Sequence, residues 1–363
     1  ALPVLDYEYG GPEASAAAYG ALRPDFAETL SPRLPNGLNI GAQLFWQSQQ
    51  FAAEFAGITA ILTYPQYWAW RLSGVMASEV TSLGCHSDLW APQRGDFSSL
   101  VTSQGWRGLF PAVRPAASVL GPVRPELAAQ TGLRAGTPVT CGIHDSNASL
   151  LPHLGAHAEP FTILSTGTWA IAMTVGGDTS QLDPARDSLA NVDAHGRPVP
   201  TARFMGGREF DMLAPGAVTP NEADVAAVIA GDVQALPSFM PGVGPFPGHV
   251  GCWTGDAAAL SPGQRTAAVS LYLALVTQAC LGLCGLGKQI IIEGPLARNG
   301  LYAAALARLT GVPVLASGDA TGTSLGASML FGGSAGTAGG MPVAPLDHAG
   351  FDAYAERWRS RLA

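Results

Sequence analysis

Apolar residues recur at helical spacing over residues 39–55, where Leu44, Phe45, Phe51 and Phe55 share a face, and this predicts a helix. A second amphipathic helix is predicted over residues 64–72. Pro65 suits its first turn, where no N–H is needed, and Gly74 suits the left-handed residue that ends it. Between residues 136 and 151 the pattern changes. The run Thr-Pro-Val-Thr-Cys-Gly-Ile-His-Asp (137–145) reads as a short strand leading into a Ser/Asn/Ala segment able to start a helix, so Asp145 falls at a strand-to-helix turn. Residues 161–175 read as a hairpin, two β-rich runs around the polar tip Ser-Thr-Gly-Thr. Residues 289–293 form a β-branched run that stops at Gly294-Pro295; a helix over 301–309 and a strand over 312–316 complete a strand, helix, strand unit. A third Gly/Thr turn, from Gly322 to Gly326, precedes an apolar run at 327–330.

Three stretches fit less simply. Residues 266–287 approach membrane-spanning length, but Ser270, Thr277 and Gln278 interrupt them and a strand-like run follows directly, so a buried helix is expected. The opening residues to about 37 are rich in Pro, Gly and Tyr, show no helical period, and read as an excursion or joining segment. The tail 332–346 is rich in Gly, Ala and Pro and reads as a surface loop before a last helix over 352–362. No repeat of solenoid period is found.

Length and charge narrow the function classes. A chain of 363 residues exceeds what one core usually holds, so two domains are expected, and 47% hydrophobic against 13% charged residues argues against disorder. The net charge of -8 and the lack of a basic run disfavour nucleic acid and anionic membranes as partners. Lys288 is the one lysine, which excludes a Gly-Lys-Ser/Thr phosphate loop and a lysine-dependent protein kinase site. The five cysteines lack zinc-site spacing and secreted-scaffold density, and they read as reduced and mostly buried. The N-terminus carries no signal-peptide pattern, so a cytoplasmic location is the expectation.

Other patterns point to chemistry more weakly. Gly332-Gly-Ser-Ala-Gly336 has the letters of a nucleophile elbow but follows a helix in a low-complexity loop. His153 and His157 have metal spacing without the accompanying Glu. Cys280 and Cys284 read as core, and the Tyr64, Tyr67, Trp68, Trp70 cluster as packing.

Phosphoryl transfer without a lysine needs a carboxylate to take the hydroxyl proton, plus amides and Mg²⁺ to neutralise phosphates. Gly-rich turns at strand ends aim amides at an anion and let the backbone approach it closely, and three such turns occur here.

From residue 39 to about 330 the chain resembles the FGGY carbohydrate kinases of the actin-like ATPase superfamily. Asn-Ile-Gly-Ala-Gln-Leu-Phe-Trp (39–46) is similar to the family's Lys-Leu-x-Trp helix, with Gln43 in the lysine place. Tyr-Pro-Gln-Tyr-Trp-Ala-Trp-Arg-Leu-Ser-Gly (64–74) is similar to its Pro-Asp-Tyr-Leu…Leu-Thr-Gly helix, and Ser-Glu-Val-Thr-Ser-Leu-Gly (78–84) to the Thr-Glu-x-Ser/Thr stretch. Gly142-Ile-His-Asp145 matches the catalytic Gly-x-x-Asp, and its His-Asp pair and Ala148 look most like the rhamnulokinase and fuculokinase branch.

The resemblance implies a two-domain ribonuclease H-like α/β fold, with 1–155 the remainder of a sugar-binding, base-carrying N-terminal domain and 156–363 a nucleotide-binding C-terminal domain. It implies Asp145 as the general base, His144 and Gln43 as sugar contacts, and Thr166, Gly167 and Thr168 as a phosphate turn. Gly294, Pro295, Arg298 and Asn299 would be the adenosine turn, where many relatives have two leading glycines and here only Gly294 remains. The implied substrates are ATP, with Mg²⁺, and a 6-deoxy-ketohexose such as L-rhamnulose or L-fuculose, with pentuloses open; a homodimer is common among relatives.

The family's opening Asp-x-Gly-Thr phosphate hairpin is not found after Ala1, so the first domain is expected to be incomplete and the chain a truncated product rather than an inactive remnant. The ordinary readings stand beside these: Asp145 as a helix cap, Thr166 to Thr168 as a hairpin turn, Gly294 as a strand-to-helix joint, Gly322 and Gly326 as packing glycines. Two competing functions are a non-catalytic sugar or nucleotide sensor, and an acetate-type or chaperone-type ATPase that the Trp-rich helices disfavour.

Overall fold

The computed structural model describes residues 2–6, 9–318, 322–333 and 339–362. It divides into two compact units: Ala1–Ala156 with Leu189–Val199 and Thr321–Gly336, and His157–Ser188 with Pro200–Ala320 and Thr337–Ala363.

In the first unit the helix expected at 39–55 is two, Ile40–Gln50 and Ala52–Ala56, because Phe51 leaves helical geometry at φ -124°, ψ 48°. Leu44 and Phe45 of the first pack with Ile61, Leu83, Leu89 and Leu100 in one core. Helix Tyr64–Ser73 starts with Pro65 in its first turn and closes on Gly74 at φ 80°.

The opening residues are not an excursion. They form a 3₁₀ turn, Gly11–Ser15, and helices Ala16–Gly20 and Phe26–Thr29, and buried Tyr19 joins the core and bonds Asp88 at 2.6 Å. Helices of four or five residues are too short to show a period. Two small hairpin-like pairs complete the unit: β1 (Trp90–Ala91) with β2 (Asp96–Phe97), and β3 (Val119–Pro122) with β4 (Pro138–Thr140), both antiparallel.

The second unit is built on a mixed sheet. The strands of that sheet are β5 (Phe161–Thr166), β6 (Ala170–Val175), β7 (Ser188–Val192), β8 (Pro198–Phe204), β11 (Ile290–Glu293), β12 (Val314–Ala316) and β13 (Met341–Val343), with Leu189–Val192 of β7 and Pro198–Val199 of β8 counted in the first unit. A separate pair joins β9 (Ala235–Leu236) and β10 (Cys252–Trp253). The sheet order is β13-β12-β11-β5-β6-β8-β7. β11 runs parallel to both β5 and β12, while β5, β6 and β8 are antiparallel neighbours.

Helix Pro262–Cys284 is the one helix among the described residues long and apolar enough to cross a membrane, and 83% of its apolar window is buried in this unit. Ser261 and Gln264 close a capping box at its start. Its apolar side chains belong to the core cluster that also takes in Ile290, Ile292, Tyr302 and Trp358. It is a core helix, as its internal Ser and Thr positions suggested.

The tail expected to be a loop contains β13, which pairs antiparallel with β12, Pro342 opposite Leu315. β13 is an edge strand, where a proline's missing donor costs little.

Candidate active site

Asp145 opens a six-residue helix, Asp145–Leu150, directly after the segment that follows β4, with His144 at the N-cap position. Its side chain is 78% exposed. Oδ1 accepts the Ser146 N–H at 2.6 Å, and among the described residues Oδ2 has no partner. An N-cap oxygen binds the amides two or three residues on; Asp145 stands one position too late for that role and bonds only its neighbour. The carboxylate is therefore steered but left open.

His144 lies beside it, Nδ1 3.3 Å from Asp145 Oδ1. Burial pushes the imidazole below its ordinary value, and the Asp145 charge opposes this only in part. Both burial and this shift favour the neutral ring, whose buried Nδ1 has no hydrogen-bond partner among the described residues.

The turn is held from several sides of the first unit. Gly142, at φ 87°, donates its N–H to Ala116 O. Gln66 Nε2 donates to Cys141 O at 3.1 Å and to Gly142 O at 3.3 Å, and the His144 N–H is accepted by Thr81 Oγ1 at 3.0 Å. Helix Gly322–Met329 packs directly on the Asp145 helix: a Cβ on Gly326 would lie 1.7 Å from Ala148 O, and Ser149 Oγ is 2.6 Å from Thr323 Oγ1. Gly326 is a close-packing glycine. Gln43 is half-buried, and its Nε2 donates to Gly37 O.

In the second unit the two turns expected to contact nucleotide are neighbours. Glu293 pairs with Ser165, so both turns leave the same end of adjacent parallel strands β5 and β11. The Thr166 hydroxyl ties them together, donating to Glu293 O and accepting the Leu296 N–H at 3.1 Å. Gly294 sits at φ 82°, and a Cβ there would lie 1.9 Å from Thr166 O.

Gly167 and Thr168 are exposed at the hairpin tip. The Gly167 N–H is used within the tip, donating to Trp169 O at 2.8 Å, and the Arg208 N–H at the start of helix Gly206–Leu213 donates to Thr168 O. A Cβ on Gly207 would lie 1.9 Å from Gly167 O, while the Arg203 guanidinium stacks over Trp169 at 4.8 Å.

In the other turn Pro295 and Arg298 are exposed, and Arg298 has no partner among the described residues. The Asn299 side chain is engaged: its Oδ1 accepts the Tyr302 N–H as N-cap of helix Gly300–Thr310, and its Nδ2 donates to Ser270 Oγ. Among the described residues no group of three or more His, Cys, Asp or Glu side chains is arranged to hold a metal. Residues 334–336 of the elbow-like motif lie outside the described residues.

Sequence reasoning placed Gln66 and Glu79 inside family-like segments without giving either a role, and it missed Gly207 and the Arg203–Trp169 stack, which carry no local signal.

The mixed sheet with Gly turns at the ends of the parallel strands β5 and β11, and the exposed Asp145 carboxylate, can be set beside solved structures. A carbohydrate kinase from Novosphingobium aromaticivorans is 40% identical, with TM-score 0.90 over 100% of this chain and 82% of that one. The fold alone is shared with xylulose kinase from Rhodospirillum rubrum, 21% identical, TM-score 0.72, covering 98% and 77% of the two chains.

The model of the carbohydrate kinase FGGY C-terminal domain matches residues 158–339, and that of the FGGY N-terminal domain residues 36–152. The chain belongs to the FGGY family of carbohydrate kinases. Among curated relatives, L-fuculokinase of Salmonella typhi is 26% identical over 273 residues, 72% of this chain and 57% of that protein. L-xylulose/3-keto-L-gulonate kinase of Escherichia coli is 29% identical over 169 residues, 45% and 32% of the two. The chain thus spans little more than half the length of the first of these relatives.

Proposed function

We propose that the protein transfers the γ-phosphoryl group of ATP to a hydroxyl of a ketose, with Asp145 as the base. One observation carries this reading: an exposed carboxylate with one oxygen oriented by the Ser146 N–H and the other unpartnered. Such a group can accept a hydroxyl proton as the oxygen attacks phosphorus.

The Gly167–Thr168 tip and the Gly294 turn, tied through Thr166, would receive the nucleotide. Gly294 supports this, because its bare Cα lets two backbones meet at a strand end where a side chain would block them. Pro295 and exposed Arg298 would face the adenosine; Asn299, whose side chain is occupied, would serve by holding the helix that follows. Mg²⁺ would be carried largely by the phosphates and water, and it would neutralise charge on the transferred group.

The His144-Asp145 pair favours a 6-deoxy-ketohexose such as L-rhamnulose or L-fuculose. The L-fuculokinase similarity supports that class, and the L-xylulose/3-keto-L-gulonate kinase similarity keeps pentuloses in the test. Neutral His144, and Gln43, would contact the sugar.

The test is ADP release by the product of the complete gene with Mg·ATP and L-rhamnulose, L-fuculose, D-xylulose or D-ribulose. Release dependent on one sugar is expected. Asp145→Asn should lower turnover by about 10²–10⁴-fold with nucleotide affinity unchanged; an active variant overturns the assignment of the base.

A further inference from the structure

Beneath the Asp145 turn lies a hydrogen-bond chain that starts on a carboxylate sealed from solvent. Glu79 and Thr81 are both 0% exposed. Glu79 Oε1 accepts the Thr81 N–H at 3.0 Å, while Oε2 accepts the Thr81 hydroxyl at 2.6 Å and the Ser82 N–H at 3.2 Å. With its proton turned toward Glu79, the Thr81 oxygen offers its lone pairs elsewhere, and there it accepts the His144 N–H at 3.0 Å. Two bonds therefore join a buried carboxylate to the residue that precedes Asp145.

Helix capping alone does not account for this arrangement. Helix Val80–Leu83 has four residues, and Ser, Thr, Asp or Asn are the residues that cap well. Burying a carboxylate is costly, and here burial pushes the Glu79 carboxyl above its ordinary range although the Thr81 and Ser82 donors offset part of the effect. What the longer glutamate arm adds over a short cap is the orientation of the Thr81 hydroxyl. Gln66 and Ala116 hold the same loop, but at Cys141 and Gly142; Thr81 is the side chain that grips it next to Asp145.

We infer that Glu79 and Thr81 are positioning residues for the base: the carboxylate aims the Thr81 hydroxyl, and the hydroxyl fixes the backbone from which Asp145 projects. The inference rests on the reading of Asp145 given above. It concerns orientation of a reacting group, where a displacement of about 1 Å can cost on the order of 10²-fold in rate.

The experiment compares Thr81→Val, which keeps the shape and removes the hydroxyl, with Thr81→Ser, which keeps the hydroxyl. Each is made in the complete protein and checked by circular dichroism. Thr81→Val should lower kcat by about 10–100-fold with KM for sugar and for ATP within threefold, and amide hydrogen exchange at His144 should accelerate. Thr81→Ser should restore most of kcat and the slow exchange. A folded Thr81→Val protein with kcat within twofold of the parent, or with unchanged exchange at His144, overturns the inference; so does an equal loss in Thr81→Ser. Failure of the functional reading looks different: the parent releases no ADP with any sugar, while the exchange comparison still decides whether Thr81 anchors the turn. If Thr81→Val does not fold, Glu79→Gln serves instead, since its amide offers one acceptor oxygen where Glu79 uses both Oε1 and Oε2, and the same two outcomes apply.

Discussion

Gly294→Ala tests whether the nucleotide-side turns are built by backbone contact. Gly294 has φ 82° and ψ -161°, a region essentially restricted to glycine, which costs another residue about 1–3 kcal/mol. The added methyl would also lie 1.9 Å from Thr166 O, 2.9 Å from its carbonyl carbon and 3.0 Å from Oγ1. That carbonyl belongs to β5, paired with Ala170, and the hydroxyl holds Glu293 O and the Leu296 N–H. Relief therefore breaks one or two hydrogen bonds, each worth about 0.5–1.5 kcal/mol net.

The sum is about 4 kcal/mol, and at about 2–4 °C per kcal/mol for a unit of this size Tm should fall by about 8–16 °C. Gly311→Ala is the control. It has φ 68°, and nothing lies within 4 Å of its Cβ position, so only the left-handed backbone cost of about 1–2 kcal/mol applies. Calorimetry on both variants separates conformation from contact. Equal losses, or a Gly294→Ala protein melting within about 3 °C of the parent, would refute the backbone-contact reasoning.

Two further outcomes are expected. Burial alone would raise the Asp232 carboxyl, but hydrogen bonds from Arg361 and Arg357 outweigh it and hold it below its ordinary value. Its contribution to stability is therefore present above about pH 4 and lost as pH falls through the lower folded value. Tm should accordingly drop less steeply below pH 4 in Asp232→Asn than in the parent, and parallel slopes would contradict this.

Among the cysteines Cys252 is exposed and the other four are buried, with burial pushing Cys141 up to about 12 and Cys284 up to about 11. A disulfide reagent should label one thiol rapidly in the native protein and five after denaturation, with Cys252→Ser removing the fast phase; a second fast thiol would show that the core opens.

Elements whose signal is local were legible in the chain. Pro65 and Gly74 frame a helix by their own backbone preferences, and the hairpin at 161–175 shows its strands and its polar tip together. Asp145 was legible as a turn residue for the same reason. The adjacency of Ser165 and Glu293 was not, since it depends on a parallel pairing between strands far apart in the chain. Asn299 shows how a motif can be located while its bonding is missed: its side chain satisfies the helix and Ser270 at once. β13 escaped because a three-residue edge strand containing a proline has no periodicity to display, and helix Glu222–Gly231 was passed over although Asn221 and Asp224 spell out its capping box.

The contact between Gly326 and Ala148 has a consequence for biosynthesis. The helix that bears Asp145 leaves the ribosome about 180 residues ahead of the helix that packs upon it, which at roughly 5–20 residues per second is a delay on the order of ten to thirty-five seconds. Throughout that interval the six-residue helix, too short to persist alone in water, has only the upstream contacts of its turn with Gln66, Thr81 and Ala116. The packing that completes the scaffold of Asp145 therefore waits for residues 322–329, and a chain terminated before them would lack it.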